Sequence, residues 1–186
     1  MENLKMYKAR KYVDSAFLSM ALKIKEYGLD NTTFITLLKG GMYTGSNILK
    51  NITLPVDSYI GYLGLSSYKT NIMSVDNFVT TYEFDLTDEL LKDRNVWIID
   101  DICDTSKTLE RAIGLIQAYN PKSIRTAVLI DKPHTRELNH FPEPDVVGFT
   151  YPGDNFLLGC GLGLGEKYRT LRELYELEVQ DVSWYI

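Results

Sequence analysis

The stretch VWIIDDICDTSKTL, Val96 to Leu109, decides the reading of this chain. Val96 to Ile99 form a continuous apolar run after Asn95, as a strand buried on both faces should. Asp100 and Asp101 follow directly, and Asp104 comes three residues later. Thr105, Ser106, Lys107 and Thr108 then lead into a helical pattern with Leu109, Ala112, Ile113 and Ile116 on one face. A buried strand therefore runs into a polar loop, and the loop opens a helix. Asn120-Pro121 should end that helix, because proline cannot continue its backbone hydrogen bonds.

The same alternation spreads in both directions. Upstream, Phe17, Met20, Ala21 and Ile24 follow helical spacing, with Asp14 or Ser15 as the expected cap and Gly28 as the expected stop. TFITLL, 33–38, is β-branched and apolar, a strand running into KGG at Lys39 to Gly41, and a short helix through Ile48, Leu49 and Ile52 comes next. DSYIGYLGLSS, 57–67, reads as a strand, and YKTNIMSVDNF, 68–78, as a loop with a hairpin at its end. Downstream, SIRTAVLI ends at DKP, and DVVGFTY supplies one more strand. Strands alternating with helices imply an α/β fold, a mostly parallel twisted sheet flanked by helices. Ligands bind such sheets outside the carboxyl ends of the strands, where KGG, DDICDTSKT and DKP all fall.

The 186 residues, 45% hydrophobic, suit one globular domain spanning 1–186, with no linker-like or repeated segment. The net charge of −5 and the lack of any Lys/Arg block argue against a nucleic-acid partner. No apolar run reaches the roughly 18 residues of a membrane span, so no membrane partner is expected. Cys103 and Cys160 lie far apart without metal-ligand spacing, which suggests a reducing, cytoplasmic setting.

The central loop has no glycine, which excludes both the G-x-x-x-x-G-K-[ST] phosphate loop and the G-x-G-x-x-G dinucleotide turn. Its two ends suit different chemistry. Backbone N–H groups at the start of a helix, with the hydroxyls of Thr105, Ser106 and Thr108, suit a phosphate monoester. Asp100 and Asp101 repel phosphate but accept hydrogen bonds from vicinal hydroxyls or ligate Mg²⁺. Together they describe a ribose 5-phosphate.

On these residues, Asp100 to Thr108, the chain resembles the type I phosphoribosyltransferases, whose motif for 5-phosphoribosyl-1-diphosphate is an apolar strand, two acids, two apolar residues and D-T-G-K-T. Ser106 stands where that family has glycine; if the position needs a positive φ, serine costs about 1 kcal/mol. LLKGG, 37–41, resembles the diphosphate loop of hypoxanthine-guanine phosphoribosyltransferases, in which the bond corresponding to Leu38-Lys39 is cis. Ser67 and Tyr68 resemble the start of their flexible lid, and DKP with VVGFTYPGDNFLLGCGLGLGEKYR, 146–169, resembles their purine-binding segment.

The resemblance implies the type I phosphoribosyltransferase fold, with a small hood built from residues 1–12 and about 146–186. It implies transfer of phosphoribosyl to N9 of hypoxanthine or guanine in purine salvage, with small-molecule substrates, Mg²⁺, and a homodimer or homotetramer. Asp104 becomes the acid/base at purine N7. Asp100 and Asp101 hold ribose and, through water, the metal. Asp104, Thr105, Ser106, Lys107 and Thr108 surround the 5′-phosphate. Lys39, Gly40 and Arg169 take diphosphate. Ile102, Lys132, Phe156 and Leu157 meet the base. Read alone, Asp104 could equally cap a helix, Lys132 could be solvated, Phe156 could be core and Arg169 a helix-face charge. The family's acid for a second Mg²⁺ falls at Gly163, so weak use of that metal is expected; Glu166 is the nearest acid. His134 and His140 read as surface residues and Cys103 as packing. The alternative reading is a catalytically weak relative that senses phosphoribosyl diphosphate or a nucleotide.

Overall fold

The computed structural model describes residues 4–68, 77–82, 86–136 and 143–178. Strand β1 (Lys5–Lys8) leads into helix α1 (Arg10–Glu26), strand β2 (Thr32–Leu38) and helix α2 (Gly41–Leu49). Strands β3 (Tyr59–Tyr68) and β4 (Asn77–Tyr82) follow, then a single turn α3 (Asp88–Leu91), β5 (Asn95–Cys103) and α4 (Lys107–Gln117). The chain closes with β6 (Ser123–Asp131), a 3-10 turn at Pro133–Thr135, β7 (Val146–Thr150), β8 (Phe156–Leu158) and β9 (Leu174–Leu177).

Six strands form the large sheet in the order β4-β3-β2-β5-β6-β7; all neighbours are parallel except β4, which runs antiparallel to β3 at the edge. The apolar runs of β2 and β5 sit in its middle because they are clothed on both sides. Phe34, Trp97, Ile99, Ala127 and Leu129 pack with Val13, Phe17, Met20 and Ile24 of α1 and Ile48 of α2. The alternate residues Ile35, Leu37, Val96, Ile98 and Val128 pack with Leu91 of α3 and with Leu109, Ala112 and Ile116 of α4. Each such fully buried aliphatic or aromatic side chain contributes about 1.5–3 kcal/mol.

At the opposite end of the sheet from the polar loops, Arg94 is buried and clamps three segments. It donates to Thr33 Oγ1 at 2.7 Å, Asn31 Oδ1 at 2.6 Å, the Thr32 carbonyl at 3.0 Å and the Asp57 carbonyl at 2.5 Å. A buried guanidinium is tolerated because its donors are met.

β1, β9 and β8 form a separate antiparallel sheet of three strands in that order, joining the two ends of the chain over the carboxyl end of the large sheet. The stretch expected to build the hood, 1–12 and about 146–186, only partly does so. Val146–Thr150 pair with β6 in the large sheet, and residues from Arg10 onward are helix.

Several boundaries differ from the sequence expectation. Helix α1 starts at Arg10 with no side-chain cap from Ala9. Asp14 and Ser15 lie inside it, where Asp14 pairs with Arg10 at 3.4 Å and the Ser15 hydroxyl donates to the Lys11 carbonyl at 2.9 Å. Gly28, at φ +84°, follows its end as expected. Helix α2 stops at Leu49, and Ile52 reaches the core from the turn beyond it. Ser67 and Tyr68 are not in a loop; they end β3, paired with Phe78 and Asn77 of β4. The hairpin expected near Phe78 is this pair, while 69–76 of the expected loop lie outside the described residues.

Candidate active site

Strand β5 delivers Asp100 and Asp101 to its carboxyl end, 7% and 8% exposed. The Asp101 backbone N–H donates to Asp100 Oδ1 at 2.9 Å. Burial first, and the neighbouring Asp101 second, push the Asp100 carboxyl well above the usual range. Burial also raises Asp101, against the opposing pull of its hydrogen bond with Asp100 and of the Arg169 charge. Two buried carboxylates side by side resist full ionisation until a ligand brings hydroxyl donors or a cation. Among the described residues no cluster of three or more His, Cys, Asp or Glu gathers around them. Two carboxylates are an ordinary protein share for Mg²⁺, which takes its remaining ligands from water and substrate oxygens.

Close backbone approach explains the glycines of two separate segments, Gly40 against Asp101 and Gly161 against Gly40. A Cβ on Gly40 would lie 1.8 Å from Asp101 Oδ2, and one on Gly161 would lie 2.3 Å from the Gly40 carbonyl. The KGG segment thus stacks onto the β5 acids, and Gly161 onto the KGG segment, with no room for a methyl group at either contact. The Leu38-Lys39 peptide that enters this turn is cis, as the resemblance implied.

Two cavities open on this end of the sheet. One, of about 240 Å³, is lined by Leu38, Gly40, Asp100, Asp101, Ile102, Cys103, Asp104, Thr105, Ser106, Thr108, Leu109 and Arg169. Ser106 is the residue before α4 and has φ +66°, the left-handed conformation glycine would take without penalty. It is 3% exposed, and its hydroxyl is 2.9 Å from Cys103 Sγ. That hydroxyl, expected to face phosphate, is engaged with Cys103 instead. Cys103 is buried, its thiol pushed up chiefly by that burial, so it packs and does not attack. Thr105 and Thr108 line the cavity, and Lys107 opens α4 outside its lining.

The second cavity, about 190 Å³, is lined by Asp101, Ile102, Asp104, Lys132, Phe156, Leu157, Leu162, Gly163 and Arg169. It gathers all four residues expected at the base. Lys132 is only 6% exposed; its Nζ donates to the Asn155 carbonyl at 3.3 Å and stands 5.6 Å from the Tyr151 ring centre. Leu162, Tyr151 and Asn155 were not singled out in the sequence, since an apolar, an aromatic and an amide residue in a glycine- and proline-rich stretch carry no signal of their own. Asp101, Ile102, Asp104 and Arg169 belong to both walls. Exposed Asp104 therefore lies on the boundary between the two cavities.

Lys39 and Arg169 converge on one carboxylate. Glu166 Oε2 lies 3.4 Å from Lys39 Nζ and 3.3 Å from Arg169 Nε, and Arg169 also donates to the Gly161 carbonyl at 2.8 Å. The Arg169 charge foremost holds the Glu166 carboxyl below its usual range. Gly163 offers no carboxylate and little room for one; a Cβ there would lie 2.7 Å from Arg169 Cγ and 2.9 Å from the Lys167 carbonyl. His134 lies at the surface side of the site, 2.9 Å from exposed Asp154, and His140 falls outside the described residues.

Residues 9–162 match the phosphoribosyl transferase domain. The chain is 33% identical over 137 residues to the hypoxanthine phosphoribosyltransferase of Buchnera aphidicola, spanning 74% of this chain and 73% of that one. It is 31% identical over 150 residues to the hypoxanthine phosphoribosyltransferase of Haemophilus influenzae, with 79% and 78% covered. Against the human hypoxanthine-guanine phosphoribosyltransferase it is 30% identical over 158 residues, with 81% and 70% covered. Among solved structures, a hypoxanthine phosphoribosyltransferase from Staphylococcus aureus shares the fold with a TM-score of 0.85 at 23% identity, covering 98% of this chain and 96% of that one. One from Bacillus anthracis, a hypoxanthine-guanine phosphoribosyltransferase, does so with a TM-score of 0.81 at 24% identity, covering 95% and 99%.

Proposed function

The chain belongs to the phosphoribosyltransferase family, and from that membership we propose that it is a purine salvage enzyme joining hypoxanthine or guanine to 5-phosphoribosyl-1-diphosphate. The observation that carries this reading is the pair of cavities with one shared wall, one lined by the β5 acids and the loop that opens α4, the other by Lys132, Phe156 and Leu157.

In this reading the 5′-phosphate rests on the Thr105–Thr108 loop at the start of α4, and the ribose hydroxyls donate to Asp100 and Asp101. The base lies between Ile102 and Phe156, with its edge at the Leu157 backbone and its 6-oxo oxygen accepting from Lys132 Nζ. Aromatic stacking of this kind is worth about 1–3 kcal/mol per base. A bond forms between N9 and C1′, while the bond from C1′ to diphosphate oxygen breaks and its electron pair leaves with diphosphate. The imidazole proton of the base passes from N7 to Asp104, a carboxylate positioned to take it. Lys39, the Gly40 backbone and Arg169 receive the leaving group. Mg²⁺, held through water at Asp100 and Asp101, would supply charge neutralisation to that diphosphate. The chain's share of the catalysis is placement of two reactants and exclusion of water. The segment after Tyr68 is proposed as the lid that completes that exclusion.

The buried free thiols Cys103 and Cys160 suit a cytoplasmic enzyme, and a homodimer or homotetramer completes the reading. Light scattering tests the assembly. The function is tested by incubating the protein with Mg²⁺, phosphoribosyl diphosphate and hypoxanthine, guanine, xanthine or adenine. Nucleoside monophosphate and diphosphate should appear together from hypoxanthine or guanine. Tight binding of phosphoribosyl diphosphate with no product from any base would replace the enzyme by a sensor.

A further inference from the structure

The carboxylate of Glu176, on β9, collects groups from three other parts of the chain. Tyr151, just past β7, donates its hydroxyl to Glu176 Oε2 at 2.8 Å. Lys5 of β1 stands 2.9 Å from Oε1. Asn155, just before β8, places its side-chain amide 3.5 Å from Oε2, a long contact. Hydrogen bonds from Lys5 and then Tyr151 hold the Glu176 carboxyl below its usual range, so it accepts as an anion. Burial and that anion push the Tyr151 hydroxyl strongly upward, so it donates as a neutral phenol.

Two of these groups also surround Lys132. Its ammonium donates to the Asn155 carbonyl and lies near the face of the Tyr151 ring, which is 3% exposed. An ammonium has three donors on a four-carbon stem, and the stem is free to rotate unless its surroundings fix it. Here both the carbonyl and the ring that fix it are tied to one carboxylate in the small sheet.

We propose that Glu176 is a positioning residue for the purine base: through Tyr151 and Asn155 it pre-orders Lys132, so that the small sheet joining the chain ends sets base affinity. This inference rests on the purine reading given above. It assigns Glu176 no contact with either substrate, so its effect should fall on one substrate alone. A side chain that merely held the small sheet together would lower the melting temperature without singling out one substrate.

The experiment compares wild type with Glu176→Ala, Tyr151→Phe and Lys5→Ala, each checked for folding by melting temperature. Glu176→Ala should raise the KM for hypoxanthine about tenfold, the scale of one hydrogen bond to a charged group, and leave the KM for phosphoribosyl diphosphate within about twofold. Tyr151→Phe keeps the ring and loses only the anchor, so a smaller rise in the same single KM is expected. Lys5→Ala removes a well-exposed ammonium from the other oxygen and should change neither KM by more than about twofold. If Glu176→Ala does not fold, Tyr151→Phe carries the test. A folded variant with unchanged hypoxanthine KM, or with both KM values raised together, overturns the proposal. So does Lys5→Ala matching Glu176→Ala. Wild-type protein that transfers to no 6-oxopurine would instead overturn the functional reading and take this proposal with it.

Discussion

At Ser106 two opposing effects meet. Its left-handed backbone costs about 1 kcal/mol relative to glycine, and its hydroxyl bond to the buried Cys103 thiol, 2.9 Å long, returns roughly 0.5–1.5 kcal/mol. Ser106→Gly should therefore leave the melting temperature nearly unchanged, whereas Ser106→Ala loses the bond, retains the strain and should destabilise by about 1 kcal/mol. Thermal melts of both variants check this order, and an alanine variant as stable as wild type would remove the Cys103 bond from the account. Asp104 and Lys132 divide the chemistry between them. Asp104→Asn should slow turnover by about 10²-fold or more, the scale of a lost general acid/base, while phosphoribosyl diphosphate still binds; near-normal turnover would sink its assignment. Lys132→Ala should weaken hypoxanthine by about 1–3 kcal/mol and leave phosphoribosyl diphosphate affinity almost untouched. Calorimetric titration with each ligand separates the two effects.

Among the elements, the tight turn at Gly165–Glu166 has the largest consequence. Leu164 and Lys167 bridge across it, and both turn residues have positive φ, so Glu166 is presented at a hairpin tip between Lys39 and Arg169. An anionic ligand for those two cations must displace this carboxylate. Glu166→Ala should accordingly raise affinity for inorganic diphosphate by about twofold to fivefold, a modest gain because exposed ion pairs are weak. Calorimetry with diphosphate alone reads it, and a weaker complex would mean that Glu166 serves the ligand and does not compete with it. Gly163→Asp is a poor route to a stronger metal site, since its Cβ would crowd Arg169 and the Lys167 carbonyl. β3 and β4 carry the opposite lesson. The sequence ends the strand at Ser67 and gives Tyr68 to a loop because polar residues follow it, yet pairing with β4 carries the strand through Tyr68.

At the scale of the whole molecule, what could be read in the sequence was what is local along the chain. Asp100 to Thr108 form a contiguous run whose strand, loop and helix are each set by their own residues, so the sheet and the polar loop at its end were legible; the positive φ at Ser106 entered only as a condition drawn from the family's glycine. The continuous apolar runs of β2 and β5 likewise announced the sheet centre. The small sheet could not be read in this way. It joins β1 to β9, and the carboxylate that links Lys5, Tyr151 and Asn155 depends on residues from both chain ends meeting in space. Arg94 escaped notice for the same reason: a lone arginine before a strand gives no hint that Thr33, Asn31 and Asp57 will surround it. The wall shared by the two cavities has a thermodynamic corollary. Asp101, Ile102, Asp104 and Arg169 cannot respond to one occupant without changing the environment of the other. The two binding equilibria are therefore linked, and whatever factor one ligand imposes on the other is returned in full. With inorganic diphosphate and Mg²⁺ neutralising the charged part of that wall, hypoxanthine should bind at least about fivefold more tightly than to the protein alone, a coupling of ordinary size. Paired titrations with and without diphosphate measure it, and identical affinities would show that the two lobes act independently despite their common boundary.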